Sequence, residues 1–364
     1  MSNIPEMMKA CVLTAYNKLD VVSLPVPKPG PREVLCRIKA VAICGSDPKV
    51  VWGDYANVNW PPYFPFVMGH EWSGKVVALG EGVTEFKIGD RVAGEAHKGC
   101  GGCENCKRGR YAICLNYGQD GKSGRADKGH RHYGFYWQGA NAEYGAFSIN
   151  SITHIPENVS YEIAAMCDSA GIAMHAIELI GITPAGTAVV FGPGPIGLCA
   201  MQIAKGMGAG RIVMVGRGEK LNLSKELGAD VIINFEYENP VERILEITGG
   251  IGCDEVIECS GAYDVPAKAV LCLKKGGQMS IAANYADESK VDAIPLNKVV
   301  FNEITIKGSK ANPNVSKKVL EYFSSGVING EKMVTHTFPL EKYKDALDTF
   351  TSKAPGVVKV VVKP

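Results

Sequence analysis

The chain has 364 residues, 46% of them apolar and 21% charged, with a formal net charge of +1 at pH 7. That length predicts two domains, and the near-zero charge excludes a general attraction to nucleic acid or to an anionic membrane. The start, Met1-Ser-Asn-Ile-Pro-Glu6, has no basic region, and no apolar run is long enough to span a bilayer, so neither a secretory signal nor a membrane anchor is expected. Without such a signal, the 12 cysteines point to metal ligation rather than disulfides, and to the cytoplasm.

In chain order, residues 1–156 read as a β-rich domain. Runs at 9–15, 21–24, 34–42, 73–79 and 143–149 are strand-like, and the glycines and prolines between them suggest short strands around a barrel-like core. After Ile155-Pro156 the pattern changes. Residues 161–180 read as one long helix, and from Thr187 the chain alternates. Strands are expected at 187–191, 211–215 and 231–233, with a helix at 221–227 that ends at Gly228. This β-α-β-α-β order predicts an α/β fold, a doubly wound parallel sheet over 157–302, with further strands at 254–259 and 278–282. Residues 303–364 supply the last strand of that sheet, at 303–307, and return to the first domain. Helices near 316–324 and 340–350 and a strand at 357–362 are expected there. One domain enclosed by two pieces of another predicts a cleft between them, where a small molecule would sit.

The strand 187–191 runs into Gly192-Pro-Gly194-Pro195-Ile196-Gly197, a G-x-G-x-x-G turn. Gly192 permits the sharp bend, Gly194 leaves no side chain where a pyrophosphate approaches, and Gly197 lets the helix lie close to the sheet. With Pro195 and Ile196 they open a helix whose free N–H groups face phosphates, so a dinucleotide is the expected cofactor. An acid about 20 residues further on binds the ribose of NAD. Here Gly216 stands in that place and Arg217 follows it. A small residue and then a cation suit a 2′-phosphate, which favours NADP over NAD. Glu219 keeps NAD open.

Cys100, Cys103, Cys106 and Cys114 have the spacing C-x2-C-x2-C-x7-C, in a lobe at about 98–116. Four thiolates so placed can wrap one Zn2+ tetrahedrally at about 2.3 Å per bond, and four sulfurs leave no position for water, so such an ion is structural. An iron–sulfur cluster is the competing reading. The flanking Lys107, Arg108 and Arg110 favour zinc.

Outside the lobe, Cys44-Gly-Ser46-Asp47 and Gly69-His70-Glu71-Trp-Ser-Gly74 offer a thiolate and an imidazole. The run Gly69-His70-Glu71-x2-Gly74-x5-Gly80-x2-Val83, followed by Gly89-Asp-Arg-Val92, resembles the zinc signature of the medium-chain alcohol and polyol dehydrogenases, sorbitol dehydrogenase-like members included. The lobe spacing and the glycine turn match the same family, so the resemblance covers nearly the full length. It implies a doubly wound Rossmann domain plus a β-rich GroES-like catalytic domain. It also implies two zinc ions per chain, one catalytic and one structural, and a homodimer or homotetramer. In that family the catalytic zinc takes a cysteine, a histidine and a residue that lies seven before a histidine on the helix preceding the nucleotide domain. The first two correspond to Cys44 and His70. Counting back from His175 gives Asp168, with the adjacent Cys167 as rival. Glu71 corresponds to the carboxylate that orients the bound water or swaps onto the metal, and Ser46 to the hydroxyl of the proton relay. The chain departs from the family at Lys49, where many polyol relatives carry histidine, and at Lys310, where some members carry arginine.

The resemblance implies hydride transfer between a secondary alcohol and its ketone. If zinc acidifies an alcohol as it does water, from a pKa of 15.7 to about 7, the gain is about 12 kcal/mol, against roughly 3–5 for a positioned general base. Side chains then need only carry the proton away. Residues 117–138 form a long polar and aromatic loop, and with Trp52, Tyr55 and Trp60 they suit a hydroxylated carbon chain. A polyol or sugar alcohol is therefore the expected substrate. His130 and His132 read as solvated or structural rather than as ligands. The alternatives are a threonine-type amino-alcohol dehydrogenase and an NADP-linked simple secondary-alcohol dehydrogenase.

Overall fold

The computed structural model describes residues 4–117 and 129–364. The chain divides into two compact units, one made of Met1–Asp168, Asn312–Ser324 and Gly330–Pro364, the other of Ser169–Ala311 and Ser325–Asn329.

The first unit is built around the strand Glu33–Ala42, whose alternate side chains enter two different cores. Val34, Cys36 and Ile38 pack with Trp72, Val92 and Phe147 on one face. Leu35 packs with Met8, Val67 and Tyr144 on the other. Its seven-stranded sheet runs in the order Ile152–His154, Arg91–Gly94, Glu71–Leu79, Glu33–Ala42, Lys359–Lys363, Val334–Pro339, with Tyr144–Ser148 also on Glu33–Ala42. Consequently three distant parts of the sequence meet in register, with Val361 opposite Ala42 and Ala42 opposite Glu71. A three-stranded sheet of Lys18–Pro25, Met7–Ala15 and Phe66–Val67 completes the β-rich body.

The second unit holds a six-stranded parallel sheet in the order Val231–Asn234, Arg211–Gly216, Thr187–Phe191, Cys253–Glu258, Leu273–Ile281, Thr305–Gly308. Val189, Val213, Val256 and Met279 are fully buried in it, as expected where helices cover both faces. Strand order reverses between Thr187–Phe191 and Cys253–Glu258, and ligands of such sheets bind outside the carboxyl ends at that switch point.

Two expectations change. The helix expected over 161–180 is two, Tyr161–Ala164 and Cys167–Ile180. Met166 N bonds Ile163 O (2.9 Å), three residues back, and this tightening ends the first turn without a glycine or proline to announce it. The short strands Phe66–Val67, His97–Lys98 and Arg131–His132 were also unforeseen, since two residues carry no periodicity. Among the described residues no helix is long and apolar enough to cross a membrane.

Candidate active site

Cys44 follows the central strand Glu33–Ala42 and opens the turn into the helix Asp47–Trp52. Asp47 folds back over that turn. Its Oδ2 accepts a hydrogen bond from Cys44 N (2.8 Å), and its Oδ1 lies 3.5 Å from His70 Nδ1. His70 stands just before the strand Glu71–Leu79, behind Gly69. Gly69 has φ +89°, and a Cβ there would lie 2.4 Å from Asn141 Oδ1, so no other residue fits. The Cys44 Sγ, a His70 ring nitrogen and a Glu71 carboxylate oxygen all lie within 4.8 Å of one another. Asp168 is not in that trio. It sits in the first turn of Cys167–Ile180, 3% exposed, and accepts a bond from the Ala96 backbone. Burial pushes its carboxyl up to about 6, opposed by His70 and reinforced by Glu71. The rival Cys167 donates its thiol to Ser316 O (3.7 Å).

These donors fit a divalent transition metal. A soft thiolate, an imidazole and carboxylates converge, and the buried Glu71 Oε1 and Asp168 Oδ1 have no hydrogen-bond partner among the described residues. Lys359 reaches the group and pairs with Glu71 Oε2. Burial works against a charge on His70, but Cys44 and Asp47 outweigh it and hold the ring toward its protonated form. The buried carboxylates of Asp47, Glu71 and Asp168 still outnumber these two. Buried charge of one sign calls for a counterion.

The second cluster fits equally well. Cys100 Sγ and Cys106 Sγ are 3.9 Å apart, as are Cys103 Sγ and Cys114 Sγ. A tetrahedron of sulfurs about 2.3 Å from a zinc ion has edges of about 3.8 Å. Backbone amides face the sulfurs, Cys103 N on Cys100 Sγ (3.4 Å) and Cys106 N on Cys103 Sγ (3.4 Å), and Asn116 Nδ2 donates to Cys100 Sγ (3.3 Å). Burial pushes the Cys100 thiol up, but these donors outweigh it and bring it down to about 6, and Cys103 is lowered too. Burial instead holds Cys106 up at about 12 and Cys114 above its ordinary value, so Cys100 and Cys103 are the readier thiolates.

Beside His70 runs a stack of rings. Phe135 lies 4.7 Å from the His70 ring, His132 4.1 Å from Phe135, and His97 4.1 Å from His132. Trp60 closes on Phe135 (5.0 Å) and His132 (5.1 Å). His130 and His132 are thus buried in an aromatic wall and not solvated. His132 Nδ1 meets Tyr117 Oη at 3.0 Å. Trp52 is exposed, and residues 118–128 of the polar loop lie outside the described residues. Burial, with Cys44, Asp54 and Asp47 adding to it, pushes the Tyr55 phenol up to about 12, so it stays a donor.

In the second unit a cavity of about 440 Å³ opens at the switch point, lined by Gly192, Pro193, Gly194, Gly216, Arg217 and Lys220 among others. Gly192 has φ +97°, Gly194 faces open space, and a Cβ on Gly197 would lie 1.9 Å from Gly192 O. Gly194 caps the helix Pro195–Gly206. Gly216 has a different reason to be small, since a Cβ there would lie 2.3 Å from Pro193 Cδ. Arg217 pairs with Glu236 (3.1 Å) at the rim, while Glu219 is exposed in the first turn of the helix Gly218–Glu226 and does not line the cavity.

Residues 30–157 match the alcohol dehydrogenase GroES-like domain, and residues 195–325 match the zinc-binding dehydrogenase domain. The chain belongs to the zinc-dependent medium-chain dehydrogenase/reductase family. It is 33% identical to the sorbitol dehydrogenase of Bacillus subtilis, over 99% of this chain and 98% of that one. The L-threonine 3-dehydrogenase of Pyrococcus furiosus is 30% identical over 94% of this chain and 95% of its own. The D-arabitol-phosphate dehydrogenase of Enterococcus avium is 32% identical over 92% and 91%. Among solved structures, a zinc-binding dehydrogenase-type protein of Sinorhizobium meliloti bound to NADP superposes with a TM-score of 0.87 at 28% identity, covering 99% of this chain and 100% of that one. A short chain alcohol dehydrogenase of Escherichia coli complexed with NADH does so at 0.86 and 26%, with 99% and 100% covered.

In this dehydrogenase, reasoning from sequence overlooked the role of Asp47 and missed Lys359 altogether. Asp47 was in view, next to the Ser46 already singled out. A lysine at the start of an apolar final strand gave no signal.

Proposed function

We propose that this dehydrogenase interconverts a secondary alcohol group of a polyol or sugar alcohol and the corresponding ketone, using NADP in preference to NAD. The observation that carries the reading is the buried convergence of Cys44, His70 and Glu71 to within 4.8 Å, with Asp168 beside them. Cys44, His70 and Asp168 would hold a catalytic zinc ion, and Cys100, Cys103, Cys106 and Cys114 a structural one. A zinc ion in the first site would supply Lewis-acid acidification of the substrate hydroxyl.

The side chains do the rest. Asp47 steadies the His70 ring through Nδ1, and Lys359 anchors Glu71. Ser46 relays the hydroxyl proton, accepting it as its own hydroxyl proton passes on to solvent. Although it caps the helix Asp47–Trp52, its Oγ makes no cap bond and has no hydrogen-bond partner among the described residues. An oxidised nicotinamide dinucleotide held by Gly192, Gly194 and Arg217 would supply the acceptor for the hydride of the carbinol carbon. Tyr55 donates to a further hydroxyl, and the partly buried Trp60 offers a face to the carbon chain.

The cofactor preference rests on Arg217 and Lys220, two cations on the cavity wall, with Glu219 off it. The structural relative with NADP bound supports it, and the one with NADH bound keeps NAD open. The substrate class is supported by the sorbitol and arabitol-phosphate enzymes among the relatives, and the threonine enzyme keeps an amino-alcohol as the second reading. The chain forms a homo-oligomer through the edge strand Thr305–Gly308 and the helix Leu296–Phe301, whose Leu296, Val300 and Phe301 are 69%, 67% and 78% exposed. The metal-type spacing of Cys100, Cys103, Cys106 and Cys114 supports a reducing compartment such as the cytoplasm.

Steady-state assays over tetritols, pentitols, hexitols, simple secondary alcohols and L-threonine, each with NADP+ and NAD+, test the reading. The highest kcat/KM is expected for a polyol with NADP+. Activity confined to simple alcohols removes the polyol, and activity confined to threonine moves the assignment to the second reading.

A further inference from the structure

At the switch point of the parallel sheet lies a buried carboxylate that the reaction does not use. Glu258 ends the strand Cys253–Glu258, opposite Phe191 in the neighbouring strand, and is fully buried. Its Oε1 accepts hydrogen bonds from Ser260 N (2.7 Å), Ser260 Oγ (2.5 Å) and Gly261 N (3.0 Å). Its Oε2 accepts one from Tyr285 Oη (2.9 Å), in the segment that follows the next strand, Leu273–Ile281. Ser260 Oγ in turn accepts from Ala262 N (3.1 Å). Residues 259–262 are therefore wound onto one carboxylate, and Tyr285 braces that carboxylate from the other side.

The braced turn is part of the cofactor cavity, which Cys259, Ser260 and Ala262 line together with Gly192. It also sets the position of the glycine turn. A Cβ on Gly192 would lie 2.8 Å from Ser260 Cα, and Cys259 N bonds Phe191 O (2.9 Å), so the two backbones touch with no slack. A buried carboxylate is a costly way to order a turn unless its lone pairs are used, and here four donors use them. Burial and the Glu258 charge both push the Tyr285 phenol up, so it remains a donor.

We propose that Glu258 and Tyr285 are positioning residues for the dinucleotide, holding the turn 259–262 against Gly192 so that the phosphates meet a cradle already formed. This rests on the reading that the cavity takes a nicotinamide dinucleotide. A preformed cradle lowers the ordering cost of binding. The effect therefore falls on cofactor affinity and leaves the chemical step alone.

Tyr285→Phe deletes one bond and keeps the ring, and Glu258→Gln keeps the shape and deletes the charge. The metal-loaded protein is titrated with NADPH and with NADH by fluorescence, and kcat and the alcohol KM are measured at saturating cofactor. Tyr285→Phe is expected to weaken cofactor binding about threefold to tenfold, with kcat and alcohol KM within about twofold of wild type. Glu258→Gln weakens it more, and the double variant loses less than the product of the two because they share one bond. Unchanged cofactor affinity in Tyr285→Phe overturns the proposal, even if the melting temperature falls. An alcohol KM that rises in step with that of the cofactor overturns it too. Should Glu258→Gln fail to fold, Tyr285→Phe decides alone. Gly192→Ala is the separate check on the cavity: it is expected to abolish cofactor binding, and wild-type binding there removes the cofactor reading itself.

Discussion

Lys359 Nζ and Glu71 Oε2 form an ion pair with both side chains almost wholly out of solvent, 2% and 0% exposed. The pair exists because the last strand, Lys359–Lys363, lies against Glu33–Ala42, which in turn pairs with Glu71–Leu79. Burial works against the lysine's charge, and Glu71 with the nearby Cys44 outweighs it, so Lys359 is held as a cation. Removing one partner of such a pair strands the other. Lys359→Met is expected to cost about 3–5 kcal/mol, read from the urea midpoint of the zinc-loaded protein. Lys359→Met combined with Glu71→Gln recovers part of the loss, and a single variant as stable as wild type refutes the account.

The two clusters of metal donors predict a metal count. Wild type is expected to carry two zinc ions per chain by elemental analysis, and Cys44→Ser one, with the melting temperature nearly kept. Cys103→Ser also falls to one, but with a lower melting temperature, because a structural site contributes folding energy directly. Two ions retained in Cys44→Ser would count against that ligand.

Arg217 stands at the cavity rim in an exposed pair with Glu236, 66% and 42% exposed, and such pairs contribute about 0–1 kcal/mol. A charge-assisted bond to a phosphate contributes about 1.5–3 kcal/mol. Arg217→Ala is thus expected to lower kcat/KM with NADP+ by about 10–100-fold and to change that with NAD+ less than about threefold. Glu236→Gln raises NADP+ activity by at most about fivefold. Equal loss with both cofactors in Arg217→Ala sinks the preference.

Gly216 and Pro193 are packed so closely that an acid at position 216 has no room. A Cβ at 216 would lie 2.3 Å from Pro193 Cδ. Gly216→Asp alone is expected to lose binding of both nicotinamides, and Gly216→Asp with Pro193→Ala to regain NAD+. Efficient use of NAD+ by the single variant would show that Pro193 gives way.

Val300→Glu with Phe301→Glu places charge on the exposed helix beside the edge strand. The variant is expected to sediment as a smaller species than wild type, with zinc content unchanged. A wild type that sediments as a monomer removes the interface.

Local features were legible in the sequence because their physics is local. The glycine turn, the C-x2-C-x2-C-x7-C lobe and the alternation of strand and helix from Thr187 each depend on contacts within a few residues, and each is where the reading put it. Only the tertiary structure decided the rest. Ala165-Met166 breaks a helix without a breaker residue, His130 and His132 are buried by rings from Trp60, Tyr117 and Phe135, and Gly216 owes its size to Pro193. Lys359 reaches Glu71 by strand pairings across most of the chain. Which strand lies beside which is settled by the burial of whole sheet faces, and periodicity along a single strand carries no record of it.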